Sequence, residues 1–274
     1  MNVGWGIDIV LGADAAAVAL MLAIRRRAPE GGYFSDSDRA SGVFGVLATG
    51  FAIFAGFIVY LAYTSYDQSR AGAESEALTV AQQYETAQFL PAAVRPRLTG
   101  QLVCYARSVV GIEWPLMEAG RTESTLNPWA VSLFTTMKLV EPRTAAEQNA
   151  YGNWFDQTSD REQARRDRIH GAEGIIPGSL WVVLILLGGV VLVYVLFYAD
   201  RAERARSQAM MIASAATAVV ATVLAVRALD NPYRPGIGSL KPTAMERTLG
   251  IIDAARTTLG QTAPPPCNTA GAPR

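Results

Sequence analysis

The sequence has little charge for its length. Only 18% of its 274 residues are Asp, Glu, Lys or Arg, against roughly 25% in soluble domains. This deficit indicates contact with lipid. The 24 basic residues balance the 24 acidic ones, so no net field attracts a polyanion and we expect no nucleic-acid partner.

Residues suited to metal binding and catalysis are also scarce. His170 is the single histidine, and the two cysteines, Cys104 and Cys267, are far apart in the chain. They match neither a zinc-ligand spacing nor a disulfide framework, although one bridge between them remains open. The sequence has no HExxH motif and no glycine-rich phosphate loop. We therefore expect no enzymatic activity, no cofactor and no metal site.

Long apolar runs, by contrast, are abundant. Four of them are long enough for a helix to cross the roughly 30 Å core of a bilayer. The basic cluster Arg25–Arg27 follows the first run, whereas a cleaved signal peptide has its charges in front. We predict four transmembrane helices and the lipid bilayer as a partner. The runs are Val3–Ile24, Gly42–Thr64, Gly178–Tyr198 and Met210–Val226. The last is the shortest, and Ala228 and Leu229 can extend it past Arg227.

Amphipathic helices are predicted between the second and third runs. One stripe repeats at spacings of four and three, as expected of a helix that packs against others. A second helix is predicted at Trp129–Leu139, and a third from Thr144 to His170. The charge-rich stretch DREQARRDR in the third indicates a solvated face. The stripe consists of Leu98, Leu102, Tyr105, Val109 and Ile112.

The predicted fold class is therefore all-α: a four-helix transmembrane bundle with a helical domain inserted between transmembrane helices 2 and 3. The predicted divisions are 1–66 for the first two crossings, 67–176 for the helical domain, 177–229 for the last two crossings and 230–274 for a C-terminal segment. From Thr262 onward, the Pro-rich tail has few apolar groups and is expected to be disordered.

Lys and Arg near the membrane ends are balanced, with seven on each side. Those on one side all lie in short loops, which weigh most in the positive-inside rule, and the N-terminus is uncharged. These features favour a plasma-membrane protein with both termini and the helical domain outside the cytoplasm. The short-loop residues are Arg25, Arg26, Arg27, Arg39, Arg201, Arg204 and Arg206.

Several segments resemble the bacterial bestrophin-like integral membrane proteins. That family is grouped with bestrophins, pentameric anion channels whose second crossing lines a narrow neck with bulky apolar side chains. The resemblance implies a homo-oligomer, a pentamer, that passes inorganic ions. In bestrophins the domain between crossings two and three is cytoplasmic, contrary to the orientation favoured above. The similar stretches are GFIVYLAYTSYDQSRAGAESEA, LPAAVRPRLTGQLVCYARSVVGIEWPLM, EPRTAAEQNAY, PGSLWVVLILLGG and ALDNPYRPGIGSLKPTAMERTL.

The same resemblance implies pore-lining roles for Phe51, Phe54, Phe57 and Ile58. The three phenylalanines step by three residues, so their rings drift by about 60° per step and cover a broad helix face. A hydrophobic constriction that gates by dewetting is one use of such a face. Contact with lipid or with other helices is the alternative.

Asp14 is an acid in the middle of the first crossing. An ionised carboxylate there costs about 2.5 to 3.5 kcal/mol on insertion scales. Asp14 either faces a water-filled path or is protonated and hydrogen-bonded to a hydroxyl such as Thr49, Ser214 or Thr217. An acidic group suits a cation path better than an anion path.

Four residues at the exit of the second crossing, Tyr66, Asp67, Arg70 and Glu74, are candidates for an ion vestibule. Their i, i+3 and i, i+4 spacings also fit ordinary ion pairs on a helix surface. Two further functions stay open. The chain could instead be a membrane-anchored scaffold or sensor whose helical domain binds a partner protein. A secondary transporter is less favoured, because the sequence has no internal repeat or paired interrupted helices.

Overall fold

The computed structural model describes residues 3–29, 32–122, 127–236 and 238–274. Regular secondary structure in these ranges is helical, and the all-α prediction is confirmed. The helices are α1 (Val3–Arg27), α2 (Ser37–Ala87), α3 (Arg95–Ser108), a π-helix (Val109–Glu113), α4 (Trp114–Glu118), α5 (Pro128–Met137), α6 (Ala145–His170), α7 (Gly178–Leu196), α8 (Ala205–Asp230) and α9 (Thr243–Thr258).

The chain forms two compact units. The membrane unit comprises residues 1–64, 175–230 and 235–238, and the helical unit comprises residues 65–174, 231–234 and 239–274. Of the described helices, α1, α2, α7 and α8 are long and apolar enough to cross a membrane, so the four predicted crossings are confirmed.

Within the membrane unit, α8 packs against both α1 and α7. A core between α2, α7 and α8 is built on apolar side chains that include Ile58, Leu184 and Val226, all fully buried. Gly188 of α7 permits this packing, because a Cβ there would lie 2.8 Å from Val219 Cγ1. The adjacent Gly189 has open space beside it.

Asp230 ties the end of α8 to the start of α7. Its Oδ1 accepts hydrogen bonds from the backbone nitrogens of Ile175 at 2.8 Å and Ile176 at 2.9 Å, while Oδ2 accepts from Trp181 Nε1 at 3.3 Å. Backbone donors just before a helix lack partners inside it, so a carboxylate there stabilises the helix start.

The helical unit has a separate core. The predicted stripe on α3 and the π-helix is buried from Leu98 through Val109, with Ile112 half-buried. Thr144 begins α6 with a capping box, in which its hydroxyl accepts from Glu147 N and the Glu147 carboxylate accepts from Thr144 N. This pairing satisfies two donors that the helix itself cannot.

The helical unit has two features that the sequence analysis did not anticipate. The helix of the second crossing continues without a break to Ala87, because residues 65–87 have no helix-breaking Pro and keep an apolar face. The C-terminal tail is also anchored. Cys267 forms a disulfide with Cys104 of α3, and Trp129 Nε1 donates a 2.6 Å hydrogen bond to Gly271 O. Specific contacts therefore replace the disorder expected from composition.

Candidate functional site

An exposed apolar face runs along the membrane-unit part of α2. Val46, Ile53, Phe57 and Tyr60 are exposed, and their spacings of seven, four and three place them on one side of the helix. Gly50 lies within the same stripe and has open space beside it. Small residues on such a face allow a second helix to approach closely.

The predicted pore-lining residues are divided between this face and the subunit core. Phe57 is 57% exposed, whereas Ile58 is 0% exposed and Phe51 is buried with it against α7 and α8. Phe54 is half-buried. The difference follows from helix geometry, because steps of three residues rotate successive side chains away from one another. Phe51 and Ile58 stabilise their own subunit.

Asp14 lies on α1 where it contacts α8. Thr217 Oγ1 donates a 2.8 Å hydrogen bond to Asp14 Oδ2, one of the hydroxyl partners anticipated from the sequence. Among the described residues, Oδ1 is buried without a hydrogen-bond partner. The structure thus brings Asp14 to a helix contact and not to the exposed face of α2.

The four candidate vestibule residues follow on α2, in the helical unit. Asp67, Arg70 and Glu74 are exposed, while Tyr66 packs partly against the core of that unit. Arg70 Nε lies 3.2 Å from Glu74 Oε1, and this hydrogen bond raises the pKa of Arg70. The spacing therefore forms an ion pair on the helix surface, and both side chains stay exposed.

A buried charge cluster was missed by the sequence analysis. The Arg168 guanidinium, 0% exposed, bonds to the carboxylates of Glu76 and Glu113. Its Nη2 lies 2.6 Å from Glu113 Oε2. Tyr105 donates to Glu76 Oε1 at 2.6 Å, and Asn127 Nδ2 donates to Glu113 Oε1 at 2.8 Å. Buried charges are tolerated when they are paired and hydrogen-bonded in this way.

The cluster sets the ionisation of its members. Burial alone would raise the pKa of Glu113, but the charges of Arg168 and then Arg165 outweigh it and lower that pKa. Burial and the nearby Glu76 carboxylate raise the pKa of Tyr105 well above its ordinary value. Glu113 therefore stays charged and Tyr105 stays protonated at neutral pH. Such a paired arrangement holds α2, the π-helix and α6 together within the helical unit.

The charge-rich part of α6 is only partly the solvated face predicted from its composition: Asp160, Glu162 and Arg166 are exposed, but two arginines are not. Arg161 and Arg168 are buried, and Arg161 donates to Gln83 Oε1 at 2.6 Å while lying 4.8 Å from the centre of the Tyr105 ring. Trp154, Arg161 and Arg168 recur every seven residues, as expected of an inward-facing helix stripe. That period was the available signal, but arginines are assigned to solvent by default.

Comparison with protein families identifies the chain. The bestrophin-like domain matches residues 12–245. The chain belongs to the bestrophin-like family. Among curated proteins, none matches it by sequence.

Solved bestrophin structures share its fold. A variant of the bacterial bestrophin homolog from Klebsiella pneumoniae is 14% identical, with a TM-score of 0.67 over 89% of this chain and 98% of that chain. The structure of that homolog solved by Zn-SAD phasing is also 14% identical, with a TM-score of 0.66 over 96% and 99%. With its four long apolar helices, the chain is a multi-pass membrane protein of the bestrophin-like family. Bestrophins are in general ion channels.

Proposed function

We propose that this protein is an ion channel whose pore is formed between subunits of a homo-oligomer, a pentamer by analogy with bestrophins. The exposed apolar face of α2 carries the proposal. Four helices packed on one another enclose little space, so a pore requires several copies. In a bestrophin-like chain, the face of the second crossing that its own subunit leaves uncovered is the natural lining.

The neck of this pore is assigned to Ile53, Phe57 and Tyr60. These residues share one side of α2 over two turns, about 10 Å along the helix axis. Rings of such side chains form a hydrophobic constriction, which blocks ions by losing its water. Residues 46–60 have no charged side chain. Asp67, Arg70 and Glu74 are the first charges beyond the neck, and we assign them to the vestibule where ions regain water.

We place the helical unit and both termini outside the cytoplasm, with the protein in the plasma membrane. The Cys104–Cys267 disulfide supports this orientation, because disulfides persist in oxidising compartments and are rare in the cytosol. The arginines in the short loops agree with it. The orientation is opposite to that of bestrophins, so it is tested separately from conduction.

Reporter fusions test the orientation. Alkaline phosphatase fused after Arg274 should be active, whereas the same enzyme inserted in the loop around Glu203 should be inactive. A cytoplasm-dependent fluorescent protein should give the reverse pattern at the two positions. An active phosphatase in the loop and an inactive one at the C-terminus would reverse the assignment.

Purified protein in liposomes tests conduction. We expect ion flux and single-channel currents, and a detergent complex larger than one subunit. Salt gradients of different cations and anions identify the permeant ion from the reversal potential. A monomer with no conductance at any pH or voltage would exclude the channel.

A membrane-anchored scaffold is the second candidate, because the helical unit also exposes apolar residues. Val131 and Phe134 of α5 and the nearby Leu139 are exposed, and exposed apolar side chains outside a membrane favour contact with another protein. Measurement of ion flux in liposomes distinguishes the scaffold from the channel. A scaffold predicts an intact oligomer or monomer that conducts no ions.

A further inference from the structure

A cavity lies inside the membrane unit where its helices meet the two short loops. Its volume is about 260 Å³. Met21 of α1, Phe44 of α2 and Ile212 of α8 form part of its apolar wall. All three lie within two turns of a helix end, so the cavity is near the ends of the membrane helices, on the side of the two short loops.

The other side of the cavity is polar and incompletely paired. Gln208, 5% exposed, uses its Nε2 to donate to Asp200 O at 2.9 Å and to Glu203 Oε2 at 3.3 Å. These two acceptors fix the orientation of the amide, so Oε1 is the atom left over. Neither Gln208 Oε1 nor the Tyr198 hydroxyl, also at the cavity, has a hydrogen-bond partner among the described residues. Buried acceptors are normally satisfied, and an orphan at a cavity indicates a group that binds there.

The chemistry of the polar side selects the head of a ligand. Gln208 Oε1 accepts hydrogen bonds only, whereas the Tyr198 hydroxyl can donate or accept. Among the lining residues that the structure describes, Glu203 is the one with an acidic or basic side chain. The neighbouring Arg25 guanidinium is directed at the backbone carbonyls of Asp200, Arg201 and Glu203. An ammonium or hydroxyl head is therefore favoured, and a carboxylate head is opposed.

We propose that this cavity binds an amphiphile with an apolar chain and a hydrogen-bond-donating amine or hydroxyl head. The chain packs on Met21, Phe44 and Ile212, and the head donates to Gln208 Oε1 beside Glu203. The site is separate from the α2 face assigned to the pore, and its occupancy does not depend on conduction.

Equilibrium binding to the full-length protein in nanodiscs tests the site. The probes are radiolabelled dodecylamine, dodecanol and dodecanoate, which differ only in the head, with the signal of empty nanodiscs subtracted. We expect saturable binding of the amine and the alcohol, and binding of dodecanoate weaker by about tenfold or more. Tighter binding of the amine than of the alcohol would assign the head to an ammonium, and the converse to a hydroxyl.

Two variants locate the bound head. Gln208→Leu should weaken binding of the preferred probe by about tenfold, and Glu203→Gln, at an exposed position, should weaken the amine but not the alcohol. Gln101→Leu is the matched control, because Gln101 is a buried glutamine of the helical unit whose Oε1 also lacks a partner among described residues. Equal binding of the three probes, or equal losses in Gln208→Leu and Gln101→Leu, would overturn the proposal.

Discussion

At the scale of single residues, Arg168 joins three elements of the helical unit. Its guanidinium neutralises carboxylates from two other elements, and the Tyr233 hydroxyl donates to its backbone oxygen. Glu76 and Glu113 would otherwise be two buried like charges. Removal of one partner from such a cluster costs more than the net value of the pairing, since the remaining charges cannot return to water.

Arg168→Met should therefore destabilise the helical unit by about 3–5 kcal/mol. Chemical unfolding of the detergent-solubilised protein, followed by circular dichroism, measures the change. Arg166→Met is the control, because Arg166 is exposed on the same helix and should change stability by less than about 0.5 kcal/mol. Similar small losses in both variants would contradict the role of the cluster.

Glu113 should make the stability of the helical unit depend on pH, and the direction of that dependence follows from its pKa. Its pKa in the folded unit lies below the ordinary value of 4.5, so the folded state favours the charged form. The resulting stability is complete above about 4.5 and is lost as pH falls through the lower, folded pKa.

Glu113→Gln should reduce the unfolding free energy by about 1–3 kcal/mol at neutral pH, and the deficit should shrink as the pH falls below about 4.5. Unfolding curves of both proteins across this range measure the effect. Glu162→Gln, at an exposed position of α6, controls for general acid effects. A deficit independent of pH would show that the charge of Glu113 is not responsible.

At the scale of elements, the sequence predicted the positions of the helices more reliably than it predicted which faces of those helices are buried. Apolar periodicity predicted the α3 stripe, because Leu98 and Leu102 have no favourable alternative to burial. The same reasoning failed for Arg161 and Arg168 in α6. Their burial depends on carboxylates and an amide that are distant in the chain, and the seven-residue repeat with Trp154 does not reveal those partners.

The two adjacent glycines of α7 allow a matched comparison. A methyl group at Gly188 would meet Val219 at 2.8 Å and Phe51 at 3.3 Å, whereas one at Gly189 meets open space. Gly188→Ala should lower stability by about 1–3 kcal/mol through overpacking, while Gly189→Ala should be neutral or slightly stabilising. Thermal unfolding in one detergent compares them, and the opposite order would contradict the packing of α7.

The anchored tail makes a prediction for hydrogen exchange. In the double variant Cys104→Ser, Cys267→Ser, amides of residues 268–272 should exchange about tenfold faster, while the core of α3 remains protected. Trp129→Phe keeps the disulfide and removes only the bond to Gly271, so its effect should be smaller. Unchanged exchange in the double variant would show that the disulfide does not hold the tail.

At the scale of the whole molecule, hydropathy predicted the number and positions of the transmembrane helices. The four crossings could be predicted because a backbone in lipid must satisfy its own hydrogen bonds and each span must reach across the apolar core. The side of α2 that would line a pore could not be predicted. It depends on which residues α7 and α8 cover, and Phe51 and Phe57 are chemically identical in the sequence.

That difference between Phe51 and Phe57 tests the assembled channel. Phe57→Ala should increase ion flux through liposomes severalfold, because a smaller side chain at the neck keeps the pore hydrated. Phe51→Ala removes the same atoms from the subunit core, so it should cost about 3–5 kcal/mol of stability and leave the flux per folded oligomer unchanged. Flux normalised to oligomer recovered by size-exclusion separates the two effects. If Phe57→Ala leaves the flux per folded oligomer unchanged, the exposed face of α2 is directed at lipid and another surface forms the neck.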